Sequence, residues 1–269
     1  VVILAVVSDL HTNSTVALSP DSLDLDDGGV YTPSKLQAWL NERWGEYWQA
    51  VSDLKDHHKC QVVTIINGEL ADDNYHATTQ LITKHKGDQA KAALAVLELP
   101  QLVSDRILVT RGTEAHVGMN GGIDEALARA IGAEPDSEGH YARWNARLVL
   151  EGVRIDSAHH PGTSSRRPWT RGAAANRLAQ MVIDRYTRRR MLPPDLVFRG
   201  HVHQPEDSGN NHVTRAIITP AWQAATSFGY RIGGDMLPIG GHVMLLEDGA
   251  VVFDRAVHWD WPLEEVEGW

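Results

Sequence analysis

The sequence has one cysteine in 269 residues, and only three phenylalanines against nine tryptophans. A lone thiol, Cys60, excludes an intrachain disulfide framework and is compatible with a reducing compartment. Its place just before an apolar run gives it a packing role. Membrane-length apolar runs are lacking too. The opening run from Val1 to Val7 is seven residues, against the roughly 20 a spanning helix needs, and it has no basic flank of the signal-peptide kind. The expectation is a cytoplasmic protein without a membrane partner. Net positive charge is also missing: the formal charge is −10 with histidines neutral, so the molecule as a whole is not drawn to nucleic-acid backbones. Bound divalent ions would reverse that sign locally. There is no internal repeat and no low-complexity tract. A hydrophobic content of 42% over this length supports a substantial core and one domain, 1–269.

What the sequence does have is 14 histidines, several of them placed where strands end. Gly200-His201-Val202-His203 follows the apolar run Leu196-Val197-Phe198. On an extended backbone two residues at i and i+2 point the same way, and Gly200 lets the chain turn close beneath them. The same construction closes the first run, which stops at Ser8-Asp9-Leu10-His11. A third run, 62–66, ends in Asn67-Gly68-Glu69-Leu70-Ala71-Asp72, and a fourth, 107–110, in Arg111-Gly112-Thr113-Glu114-Ala115-His116. A fifth, 153–158, ends in His159-His160-Pro161. Parallel sheets carry functional groups at the carboxyl ends of their strands, so these five loops are expected to converge on one rim.

The order Asp-x-His, Gly-carboxylate-x-x-Asp, Gly-x-x-x-His, His, Gly-His-x-His resembles the calcineurin-like metallophosphoesterase family, from Asp9 to His203. The resemblance implies a four-layer α/β fold, a sandwich of two mixed sheets flanked by helices. It implies two divalent ions, with Asp9, His11 and His203 on one, Glu69 bridging, and His159 and His201 on the other. Mixed carboxylate and imidazole donors suit Mn, Fe or Zn. Such a site hydrolyses a phosphodiester or phosphomonoester through metal-activated hydroxide. The overall layout also resembles phosphoesterases of bacteriophage and prophage genomes, which implies nucleotide or nucleic-acid substrates. Two alternatives stand beside this: a nuclease acting on DNA or RNA, and a non-catalytic metal-binding or structural protein derived from the family.

The sequence departs from the family pattern twice. Gly68-Glu69 replaces Gly-Asp, which lengthens the bridging side chain by one methylene. Gly112-Thr113-Glu114-Ala115-His116 replaces Gly-Asn-His, so the amide ligand is absent. Thr113 or Glu114 then occupies the ligand region, and His116, shifted by two places, approaches the leaving-group oxygen as a proton donor. Asp72 matches the family's final Asp and, with His76, would orient ligands or substrate. Asp73 reads as a solvated acidic turn. Of the adjacent pair, His159 is the ligand by resemblance, while His160 packs or touches substrate. Arg166 and Arg167, beside Trp169, have the composition of a phosphate fork with a stacking ring.

Between these motifs, spacings of three and four predict helices over 34–57, 88–99, 123–131 and 173–190. A hairpin is expected across Glu151-Gly152, and runs at 213–218, 241–246 and 251–257 read as a closing antiparallel set. The tryptophans at 39, 44 and 48 belong to the core. The Ser/Asp/Gly/Pro-rich segment 14–33 is an insertion beside the first motif that reads either as a lid or binding loop or as a surface excursion.

Overall fold

A computed structural model describes residues 1–73, 78–162, 170–227 and 237–262. His76, Arg166 and Arg167 lie outside the described residues. The chain runs through β1 (Val2–Val7), a small ribbon of β2 (Leu23–Asp24) and β3 (Val30–Tyr31), α1 (Lys35–His58), β4 (Gln61–Asn67), α2 (Lys86–Val103) and β5 (Arg106–Thr110). It continues with α3 (Glu114–Val117), α4 (Gly122–Ala130), β6 (Ala142–Arg143), β7 (Ala146–Leu150), β8 (Val153–Ser157) and α5 (Ala173–Arg188). Last come β9 (Leu196–Arg199), β10 (Glu206–Asp207), β11 (Arg215–Ile218), β12 (Ile239–Glu247) and β13 (Ala250–Trp259). One mixed sheet has the order β13-β12-β1-β4-β5-β6 and the other β10-β11-β9-β8-β7.

Strand alternation builds the layers. Ile3, Ala5 and Val7 face a core shared with Leu40, Trp44, Trp48 and Val51 of α1 and Ala93, Val96 and Leu97 of α2. Leu4 and Val6 point the other way, where with Val63, Ile65 and Leu108 they meet Ile155, Leu196, Phe198 and Ile217 of the second sheet. The far face of that sheet, Val197, Ala216 and Ile218, is covered by Ala174, Leu178, Ala179 and Val182 of α5. The result is the helix-sheet-sheet-helix α/β sandwich expected from the sequence. Because both faces of β1 and β4 are covered, β1 is apolar throughout and β4 carries only Thr64 as a polar residue within its run 62–66.

The closing strands depart from the expectation. β12 and β13 form an antiparallel edge on the first sheet, whereas β11 belongs to the second sheet and runs parallel to β9. Alternation in a sequence defines a strand's two faces and leaves its partner open.

Helix α1 begins at Ser34, which forms a capping box with Gln37. The buried amide of Gln37 also donates to the carbonyls of Ser14 and Ala17, at 3.2 Å each, tying the root of segment 14–33 to the helix. Ala17 and Leu18 are fully buried, so this end of the segment is packed into the core. No helix among the described residues is long and apolar enough to cross a membrane.

Candidate metal centre

β1, β4 and β5 are parallel neighbours in one sheet, and β8 and β9 in the other, so the loops after them open on a common rim. The backbone there is not extended. Asp9, His11, Glu69, His201 and His203 have φ of 55°, 44°, 57°, 71° and 59°, all left-handed. The expectation of extended i, i+2 pairs is corrected in that respect: the side chains are aimed by successive tight turns just past the strands. Left-handed non-glycine residues cost of order 1 kcal/mol or more each and persist only where surrounding bonds enforce them. Here the Asp9 amide donates to Gly68 O at 3.1 Å, the His11 amide to Glu69 O at 2.9 Å, and the His201 amide to the Asp9 carboxylate at 3.0 Å. Left-handed backbone at all five of these positions marks a constrained site.

The side chains gather into groups that meet at Glu69. Asp9, His11, Glu69 and His203 place one donor atom each within 4.8 Å of one another, as do Glu69, His159 and His201. Glu69 Oε2 lies 2.9 Å from His11 Nε2, and Oε1 lies 3.2 Å from His159 Nε2. The lengthened carboxylate therefore reaches both groups. His203 Nε2 is 3.2 Å from His11 Nε2 and 3.4 Å from Asp9 Oδ1. His159 donates from Nδ1 to Asn67 O at 2.6 Å, which aims Nε2 inward, where that buried atom makes no hydrogen bond. Inward-facing nitrogens and carboxylate oxygens at such spacings, with a buried unsatisfied nitrogen among them, fit divalent cations.

Electrostatics agree. Burial opposes ionisation of Asp9 and Glu69, yet His159 outweighs it, helped by His203 at Asp9 and by His11 at Glu69, and both carboxyls stay below their usual range. Burial likewise disfavours a charged His159, but Glu69 and Asp9 push its pKa up to about 10. At His201 burial dominates, with His159 adding repulsion, and the pKa falls to about 4. His201 is thus a neutral donor at neutral pH.

A third group, His11, Asp72 and His116, adjoins the first. His116 Nδ1 is 3.3 Å from Asp72 Oδ1, and its ring meets His11 edge-on at 4.7 Å. Burial lowers and Asp72 raises the His116 pKa, with a net rise. Thr113 comes to Glu69: its amide donates to Oε1 at 3.1 Å and its hydroxyl contacts the same oxygen. Glu114 is exposed at the start of α3 and is in none of these donor groups. His160 is exposed, and its ring lies 4.5 Å from that of His201. Asp73 corrects the sequence reading, being buried and paired with Lys86.

No protein-family model and no curated protein matches the chain. Solved structures similar to it include the phosphoesterase Yfce from E. coli, 14% identical over 94% of this chain and 98% of that one, with a TM-score of 0.41. A dimetal phosphatase from Danio rerio is 8% identical over 92% and 93%, with a TM-score of 0.47. A single mutant of Vps29 from Entamoeba histolytica is 11% identical over 96% and 99%, with a TM-score of 0.40. At these identities and scores the likenesses transfer no activity to this chain.

Sequence reasoning passed over Asp124, which is fully buried on α4. Its carboxylate accepts from the amides of Glu69 at 3.2 Å, Leu70 at 2.9 Å and Gly112 at 2.8 Å, joining the loops after β4 and β5. Burial, opposed by these bonds and assisted by Glu69, raises its pKa to about 6. A signal was present: Asp124 begins the apolar stripe of Leu127, Ala128 and Ile131 at i+3, i+4 and i+7, where a carboxylate needs a buried partner. Ser8 and Asn67 were also passed over. The Ser8 hydroxyl contacts Asp9 Oδ2 and donates to Asn67 O at 2.9 Å, so Asn67 O holds both Ser8 and His159.

Proposed function

We propose that this protein is a metal-dependent phosphoesterase, hydrolysing a phosphodiester or phosphomonoester at a dinuclear site. The observation that carries the reading is the position of Glu69, whose two oxygens face His11 in one donor group and His159 in another. Asp9, His11, Glu69 and His203 would hold one divalent ion, and Glu69, His159 and His201 the second, with Mn, Fe or Zn suited to the mixed donors. Ions held there supply Lewis-acid charge to phosphoryl oxygens and acidify a water molecule. His116, kept basic by Asp72, would donate a proton to the departing oxygen. Thr113 steadies the shared carboxylate, and exposed His160, beside His201, stands where it can touch substrate.

A non-catalytic metal-binding role is the second reading. It is favoured by one observation: Thr113, at the place of the family's amide ligand, turns its hydroxyl to Glu69. Metal content per chain after reconstitution with Mn, measured alongside hydrolysis of bis-p-nitrophenyl phosphate and p-nitrophenyl phosphate, separates the two. Two ions with turnover support the phosphoesterase, and the faster substrate gives the ester preference. One ion or none, without turnover, moves the assignment to metal binding alone. Salt-sensitive cleavage of single-stranded or duplex nucleic acid would make it a nuclease.

A further inference from the structure

Among the described residues Trp144 is the one exposed tryptophan, at 64%. It directly follows β6, which runs parallel to β5 with Arg143 opposite Thr110. The Arg111 amide donates to Arg143 O at 2.8 Å, so Trp144 stands beside Arg111 on the rim where β5 delivers Gly112 and Thr113 to Glu69. Following the backbone through these contacts puts the Trp144 Cα no more than roughly 15 Å from the Glu69 carboxylate. A nucleoside phosphate is shorter than this between phosphorus and base, and the reach of the indole beyond its Cα makes up the difference.

The ring is also supported from beneath. The Arg111 guanidinium carbon lies 5.0 Å from the indole centroid. Arg111 is itself buried: its Nε donates to Ala142 O at 2.7 Å, and its stem lies so close to Gly121 that a Cβ there would come within 3.1 Å of Cγ and Cδ. One face of Trp144 thus rests on a fixed cation while the residue remains open to solvent. Left exposed, the indole contributes little burial to folding. An aromatic face set on a cation is suited to stacking a planar base.

We infer that Trp144 is the stacking platform for the base of a nucleotide ester whose phosphate lies at Glu69 and the surrounding histidines. This rests on the phosphoesterase reading. The test compares two diesters with the same leaving group, p-nitrophenyl thymidine 5′-phosphate and methyl p-nitrophenyl phosphate, on the Mn-reconstituted full chain. The nucleoside ester is expected to have the lower KM. Trp144→Ala should shrink the KM ratio between the substrates by roughly 5- to 100-fold, the range for one lost base stack, and Trp144→Phe should restore most of it. AMP titrated calorimetrically into the same proteins should bind more weakly to Trp144→Ala by a similar factor. An unchanged KM ratio with unchanged AMP affinity overturns the platform even if turnover persists. If neither diester is hydrolysed, the phosphoesterase reading fails and the AMP titration decides alone: weaker binding in Trp144→Ala keeps the platform, and equal binding removes it.

Discussion

Glu69 and Gly112 are packed so closely that residue 112 has no room for a side chain. A Cβ there would overlap Glu69 Cγ and sit 2.7 Å from the Glu69 amide nitrogen. Gly112→Ala is therefore expected to push the shared carboxylate off both histidines. Bound metal after dialysis should fall at least about tenfold in affinity, with a stability loss of about 1–3 kcal/mol from overpacking. Wild-type metal content, measured by elemental analysis of the dialysed variant, would contradict this placement of Glu69.

Asp124 accepts from three backbone amides. Asp124→Ala should lower stability by about 3 kcal/mol or more, since each orphaned buried amide costs about 1–3 kcal/mol. Urea unfolding measures this, and an unchanged midpoint would mean that water replaces the carboxylate without loss.

His116 differs from the proposed metal donors in what its removal should do. A p-nitrophenolate leaves without a proton, whereas an alkoxide needs one. His116→Gln should slow hydrolysis of an alkyl phosphate ester by about 10²- to 10⁴-fold and that of the p-nitrophenyl ester far less. Equal losses on the two esters would place His116 in binding instead of proton transfer.

Asp156 and Arg199 join β8 to β9, the strands that deliver His159 and the two histidines of the Gly-His-Val-His turn. Arg199 Nη2 donates to Asp156 Oδ1 at 2.7 Å, and the Tyr186 hydroxyl donates to Oδ2 at 3.0 Å. Burial would raise the Asp156 pKa, but Arg199 outweighs it and the carboxyl titrates below its usual range. A depressed folded pKa stabilises above the unfolded value, about 3.9, and that stabilisation is lost as pH falls through the folded value. Arg199→Met removes the buried partner and leaves Asp156 with the part-exposed Arg147 and the Tyr186 and Asn145 bonds. It should therefore cost less at neutral pH than a fully uncompensated buried charge, about 3–5 kcal/mol, and should move acid unfolding to higher pH. Acid titration followed by circular dichroism checks this, and coincident midpoints would rule the pair out as a source of acid resistance.

Much of the centre was legible because each candidate donor follows an apolar run. Asp9 and His11 after β1, Glu69 after β4, His159 after β8, and His201 and His203 after β9 could be located by where hydrophobic residues stop. The two-sheet sandwich was implied by the family resemblance, and the alternation of strand runs with helical segments agreed with it. Asp73 misled because acidic turns are usually solvated, and only the approach of Lys86 shows that this one is buried. β11 misled because a strand's partner is a long-range choice. Trp144 drew no notice because the other described tryptophans, such as Trp44 and Trp48, lie in or against the core, and exposure cannot be read from residue type.

By itself the sequence determined the periodicities, hence the strands, the helices and the chain positions at which polar side chains emerge from them. Those are local properties of backbone geometry and solvent avoidance. Tertiary structure alone decided that Glu69 reaches two imidazoles, that Asp124 binds the loops carrying Glu69 and Gly112, and that Arg111 lies under Trp144. Each of these depends on residues far apart in the chain being brought within a few ångströms, and that proximity comes from packing the two sheets and their helices together.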